Sequence, residues 1–395
     1  MSVSRVLFAS ALWAPALWMV ACNKDGDAEP VTWADVQGAD EGELVRDDLG
    51  TAPIGDTGGY IDLDVEVPSD AVSTSVHCGG FGDLALGAVW QLTDPEGTLV
   101  YDGNAPLGGD FTAYDYRSDF VDDVSVALLP VTPKLGLGPG TWKVQYFVGA
   151  GSSGSADCAA VHRTGGTSDA SEVWVNLVFV GPDGLDAATA IDDENFQEAL
   201  ATFETEWGSG NLTPQYNYID FDGDKAKFAV VDVTDDEDTE FNQLLRTAKP
   251  GNSRTLTFFF VEEIANGSAG GATILGLSAG PPGAAAQNGT SASGLVISAI
   301  DYDSAPADVG KIMAHEGGHF LGLFHTTEKD GSRHDLLADT PECTVDNDGN
   351  GNGTMNSDEC GGKGAENVMW WTLTSGEATL SADQGWVLQR NPVVD

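Results

Sequence analysis

Two hydrophobic periods divide the chain. Between about residues 56 and 180, apolar and polar positions alternate, as in Ile61-Asp-Leu-Asp-Val-Glu-Val67. A period of two is that of a strand with one buried face. Trp142 to Val148 and Val173 to Val180 read as further strands, and Asp94-Pro95-Glu96-Gly97 as a turn. No helical period competes, so residues 56–180 are predicted to form an all-β sandwich, an accessory domain. After Gly184 the pattern changes. Ile191, Phe196, Leu200, Phe203 and Trp207 fall on one face of a helix with Asp192 or Asp193 near its start. Strand-like runs follow at Tyr216–Phe221, Phe228–Val233, Thr255–Val261 and Leu295–Ile300, with a helix predicted over Glu240–Lys249. Alternating strands and helices imply a mixed sheet. The fold class is therefore α+β: a sandwich followed by a second domain over residues 181–395. Asp222-Gly223 is read as a hairpin turn rather than a calcium site.

The N-terminus has its own signature. Arg5 precedes the apolar stretch Val6 to Ala21, which Pro15 interrupts. Residues 1–21 read as a secretory signal peptide. Met19-Val20-Ala21-Cys22 resembles a bacterial lipobox, which implies a lipid-bearing Cys22 and an exported protein, either a surface or outer-membrane lipoprotein or a secreted one. Residues 22–55 are acidic and read as a solvated, flexible tether.

The charge narrows the partners. The chain has 395 residues, with 17 Lys plus Arg against 62 Asp plus Glu, a formal net charge of −45. Phosphate backbones would be repelled, so nucleic acid is excluded as a partner. Membrane contact is expected only through lipid at Cys22. Setting Cys22 aside leaves four cysteines, which the domain boundary separates into Cys78/Cys158 and Cys343/Cys360. Both pairs are expected as disulfides of an exported protein. A different use of Cys78, as a thiolate switch occupying a metal site, would strand Cys158.

The chemistry is carried by His315-Glu316-Gly317-Gly318-His319-Phe320-Leu321-Gly322-Leu323-Phe324-His325. Pro306 sits where a helix can begin, and Met313, Gly317, Phe320 and Phe324 form its core-facing stripe. Histidines four apart lie one turn apart on the same face. His315 and His319 can thus reach one Zn²⁺, while Glu316 is free to act on water as general base. Gly322 can take positive φ and turn the chain back, bringing His325 in as third ligand.

This run resembles the metzincin metallopeptidases, whose zinc motif is H-E-x-x-H-x-x-G-x-x-H followed by a methionine turn. Asn367-Val368-Met369 supplies the turn, and Met369 would lie beneath the metal as an apolar floor. Within that group the chain is most similar to the pappalysins, on Leu323-Phe324-His325-Thr326, Asp339-Thr340-Pro341 and the Asn-x-Met turn. The resemblance covers roughly residues 185–395 and implies a zinc endopeptidase acting on protein or peptide substrates. Its fold would be a twisted mixed sheet plus an active-site helix. Substrate would lie extended along a Gly-rich edge strand near Ala272 to Ala279. Trp371 stands where many metzincins carry a tyrosine, so a tyrosine contact to the transition state does not carry over.

One further motif stands beside the zinc site. Asp348, Asn350, Asn352, Thr354 and Glu359 occupy positions 1, 3, 5, 7 and 12 of a D-x-[DN]-x-[DN]-G-x₅-E loop, the pattern of a structural Ca²⁺ site. Asp339 is a further calcium candidate by resemblance alone. The reading of another class is a non-catalytic, calcium-stabilised surface binding protein with a vestigial zinc site. The intact histidines and Glu316 weigh against it.

Overall fold

The structure is a computed structural model that describes residues 28–39, 43–55, 57–80, 86–103, 121–122, 124–149, 154–167, 171–181, 184–234, 238–249, 254–265, 274–300, 302–374 and 376–395. The signal-peptide and Cys22 expectations lie outside these residues, as do Ala272 and Thr273 of the expected substrate strand.

The N-terminal strands are β1 (Leu44–Ile54), β2 (Gly59–Val67), β3 (Ala71–Gly79), β4 (Leu86–Thr93), β5 (Leu99–Asp102), β6 (Val121–Asp122), β7 (Val124–Leu129), β8 (Gly140–Val148) and β9 (Gly154–Thr164). They pair into two antiparallel sheets, ordered β1-β9-β3-β7 and β2-β8-β4-β5, with β6 beside β4. Alternate side chains of both sheets meet in one core, where Val65, Val76, Val89, Tyr146 and Ala160 are fully buried. Cys78 and Cys158 face each other across β3 and β9 and are bonded.

The second sheet uses β10 (Ser171–Phe179), β11 (Leu212–Asp220), β13 (Leu256–Val261), β15 (Gly276–Ser278) and β16 (Leu295–Ser298). Short β12 (Val230–Asp232) and β14 (Glu263–Ala265) pair separately. The order is β11-β10-β13-β16-β15, parallel except for the antiparallel edge strand β15. Helix α2 (Glu194–Gly208), which follows the single turn α1 (Ala187–Ala190), covers one face. Asp193 caps α2, its side chain accepting from the Phe196 N–H. Short α3 (Lys225–Phe228) and α4 (Glu240–Leu245) lie on the opposite face, where Phe228, Leu244 and Leu245 join Phe259 and Val296 in a second core. Helix α5 (Pro306–Phe320) packs on α2, and α6 (Ala382–Leu388) is the last helix.

Two expectations are corrected. The span 22–55 is not a free tether where it is described. Val31 donates its N–H to the Tyr218 carbonyl at 2.8 Å, and Val31, Trp33 and Val36 pack on the core behind the mixed sheet. Leu44–Ile54 is an edge strand paired to β9. Edge strands carry charge readily because one side is solvated, and that is why the acidic composition hid it. The second correction concerns the 56–180 boundary. Ser171–Phe179 joins the mixed sheet, where it is flanked by β11 and β13. Its run of apolar residues is that of a strand buried on both faces, and Thr164 is the last strand residue of the first pair of sheets.

The two parts touch. Val124 and Val126 of β7 pack with Ala284 and Ala292, and Lys134 donates to the Leu336 carbonyl at 3.3 Å.

Candidate metal centre

Helix α5 begins at Pro306, whose missing N–H costs nothing at a first helical position. Its two consecutive glycines are explained by close approach. A Cβ on Gly317 would lie 2.5 Å from Cζ2 of Trp207, and one on Gly318 would lie 2.5 Å from Sδ of Met369. Trp207 of α2 presses on one side of the helix and donates its indole N–H to the Ala314 carbonyl at 3.1 Å. Met369 presses on another side. The conformational cost of two helix-interior glycines is offset by these contacts.

Past Phe320 the chain reverses. Gly322 has φ of +110°, and Leu323 donates its N–H to the Gly318 carbonyl at 2.9 Å. This reversal carries His325 back to the helix. The three Nε2 atoms of His315, His319 and His325 lie 3.1–3.3 Å apart. Each Nδ1 has its own acceptor: the Val368 carbonyl for His315 and the Leu323 carbonyl for His319, both at 2.8 Å, and Oε2 of Glu328 for His325 at 3.0 Å. A carbonyl can only accept, so Nδ1 of His315 and His319 carries the proton and Nε2 of the neutral ring is unprotonated. Unprotonated nitrogens at such separations repel unless a cation lies among them. Tetrahedral nitrogen ligands at about 2.0–2.1 Å from Zn²⁺ stand roughly 3.3 Å apart, which is the spacing found. Among the described residues this is the one group of three His, Cys, Asp or Glu side chains close enough to hold an ion.

Electrostatics agree with ligation by neutral imidazoles. Burial lowers His315 to a pKa of about 4, with the neighbouring His325 acting in the same direction. Glu316 sits beside the triad in the cleft. Burial raises its carboxyl to about 8, opposed by a backbone hydrogen bond from Ser278 on the edge strand. The cleft is further lined by Leu277, Pro281, Arg333 and Trp371. A side pocket opens next to His315 and Glu316 between Leu275, Ile312 and Thr374, with Glu206 and Lys311 in its wall.

Met369 is fully buried, and its N–H donates to Oδ1 of Asn367 at 2.8 Å. Asn367 and Gln384 exchange side-chain hydrogen bonds at 2.7 and 2.9 Å. Gln384 escaped the sequence reading, although Ser381-Ala382-Asp383-Gln384 is a capping box that marks the start of α6. Glu328 was also missed, because nothing local to it signals a partner three residues back. Trp371 borders the cleft but commits its indole N–H to the Met355 carbonyl at 2.9 Å.

Cys343 and Cys360 are bonded and close a small lobe around buried Met355 and Trp370. Asp348, Asn350, Asn352, Thr354 and Glu359 fall on one loop of this lobe. Asp348 accepts from the N–H groups of Gly351, Asn352 and Gly353 at 2.8–3.2 Å. Asn352 accepts from Thr354, and Glu359 accepts from Asn350 at 3.1 Å. These oxygens are engaged by the loop's own backbone, and calcium gains no support from them. Asp339 faces the start of α6, accepting from Ser381 Oγ and the Asp383 N–H at 2.8 and 2.9 Å.

No curated protein matches the chain. Among solved structures, metalloproteinase-II from Bacteroides fragilis is similar at 10% identity and a TM-score of 0.30, over 59% of this chain and 62% of that one. This chain thus spans about three fifths of that protein's length. The infectious bursal disease virus Gt strain structure matches at 17% identity and TM-score 0.18, over 31% of this chain and 32% of that one. PirA matches at 14% identity and TM-score 0.16, over 32% of this chain and 96% of that one. Scores this low carry no weight for the fold. Residues 211–389 match the Metallo-peptidase family M12B Reprolysin-like, and that span contains α5, all three histidines, Glu316 and Met369. The family match and the histidine triad together support a metallopeptidase.

Proposed function

We propose that the protein is a zinc-dependent endopeptidase of the metzincin group, nearest in its motifs to the pappalysins. The observation that carries this reading is the convergence of three imidazole Nε2 atoms beside a buried glutamate. His315, His319 and His325 would hold the ion. When bound, zinc supplies Lewis acidity that makes water a better nucleophile near neutral pH and polarises a carbonyl. Glu316 accepts the proton of the water that adds to the peptide carbonyl, then releases it to the departing amine nitrogen. Its burial favours holding that proton, and a divalent cation nearby draws its pKa back down. Among the described residues strand β15 is the terminal strand of the mixed sheet, and its Leu277 and Ser278 line the cleft. An extended peptide can add there as a further strand, with one side chain directed into the pocket beside Glu316.

Export and a lipid anchor at Cys22 belong to the same reading, supported by the N-terminal apolar run and by two disulfides. Mass analysis of the mature N-terminus tests it, and an unmodified Met1 would reject it. Calcium at loop 348–359 rests on the sequence pattern alone.

The test is hydrolysis of casein or a peptide library by purified protein, with and without a zinc chelator. Chelator-sensitive cleavage restored by zinc is expected. A zinc-loaded, folded protein that cleaves nothing would favour the non-catalytic binding protein instead.

A further inference from the structure

The three histidines are not supported alike. His315 and His319 give their Nδ1–H to backbone carbonyls, which are neutral and fixed by the fold. His325 faces a carboxylate, Oε2 of Glu328, at 3.0 Å. Both side chains are about a quarter exposed, so water competes for that bond.

Glu328 is held where it is by its neighbours. Thr327 pairs with His334 across a tight turn, in which Glu328 donates its N–H to the Arg333 carbonyl at 2.9 Å and accepts at its own carbonyl from the Gly331 N–H at 2.8 Å. On one side of Glu328, Thr327 Oγ1 accepts from the Cys343 N–H at 3.1 Å. On the other, the Lys329 carbonyl accepts from the Met355 N–H at 2.8 Å. Both anchors lie in the lobe closed by Cys343–Cys360. The lobe therefore fixes the backbone at Glu328 from two sides.

We infer that Glu328 is a positioning residue for the third metal ligand, and that the disulfide-closed lobe exists in part to hold it. Resting on the zinc reading above, this assigns Glu328 three effects. It keeps the His325 proton on Nδ1 so that Nε2 can ligate. It fixes the ring's orientation in a segment with no helix to do so. Its negative charge raises the ligand strength of the imidazole. Glu328 lines the cleft but is assigned its role through His325 rather than on the reacting atoms.

The experiment is competition for zinc between a chromophoric chelator and the full-length protein, in wild type, Glu328→Ala and Glu328→Gln. Visible spectra of the cobalt-substituted forms provide a second readout. Zinc binding by Glu328→Ala is expected to weaken roughly 10–100-fold, the range for lost partners of metal-ligating histidines. Glu328→Gln keeps an acceptor oxygen and loses the charge, so it is expected to fall between the two, with partial recovery of the cobalt spectrum. A merely structural role would lower the melting temperature of the metal-free protein without this graded response. An affinity for Glu328→Ala within twofold of wild type would overturn the inference while leaving the zinc reading intact. Should that variant not fold, the same result for Glu328→Gln would overturn it. A wild-type chain that takes up no zinc would overturn the reading on which both rest.

Discussion

The candidate metal site has a helical half and a loop half, and they are built by different means. His315, Glu316 and His319 stand on one helix, whose register fixes their separation and whose packing on Trp207 and Met369 fixes its position. His325 stands in irregular chain, and its surroundings are tied together by Thr327, Lys329, Glu328 and a disulfide-closed lobe. The helical half draws on a large apolar core. The loop half touches that core only at its start, through Leu321 and Leu323, and beyond it draws on a small apolar lobe, on single hydrogen bonds, each worth about 1 kcal/mol net, and on one cross-link. The difference teaches where the site should fail first: chemistry should be lost from the helical half, and metal retention from the loop half.

The sharpest separation is Glu316→Gln. It should bind zinc like wild type and lose at least about 100-fold in kcat, the typical contribution of a general base. Loss of zinc from this variant would show that the helical half also governs retention. Next in size is removal of the loop's cross-link. Replacing both Cys343 and Cys360 by serine should destabilise the lobe by on the order of 3 kcal/mol, from the chain-entropy cost of a loop of this length. Zinc affinity should fall with it, measured by chelator competition, while far-ultraviolet circular dichroism of the sheets and helices persists. Unchanged affinity would mean that His325 needs no lobe.

Glu206 probes the helical half by pH. Burial raises its carboxyl from 4.5 to about 7, partly opposed by Lys311. A raised carboxyl pKa means that the folded state holds a proton that the unfolded chain releases. Its stability penalty is therefore absent below about 4.5, grows as pH rises, and is complete above about 7. Glu206→Gln should melt with wild type at pH near 4 and above wild type at pH near 8, as followed by calorimetry. Equal melting at both would remove the burial argument. The smallest expected effect is calcium. If loop 348–359 binds it, millimolar Ca²⁺ should raise the melting temperature of the zinc-loaded protein by a few degrees. No shift would leave the loop held by its own turns, as its hydrogen bonds already allow.

Legibility followed the same division. The helical half could be read because spacing along a helix is local: positions 315 and 319 share a face in any sequence that forms the helix. The need for Gly317 and Gly318 is not local, since Trp207 and Met369 arrive from residues far along the chain. Val173–Val180 reads as a strand of the sandwich, while the strand Ser171–Phe179 lies in the mixed sheet, because the period of a strand does not name its neighbour. Acidic composition concealed β1 for a related reason, since an edge strand need bury little.

The sequence by itself determined the pairing of His315 with His319, the glutamate between them, and the glycine that turns the chain after the helix, because each depends on fixed local geometry. Tertiary structure alone decided that the edge strand β15 backs Glu316, that Gln384 holds Asn367, and that Glu328 faces His325. Those contacts depend on long-range packing and on the side-chain conformations it selects, and neither is written in the periodicity of the chain.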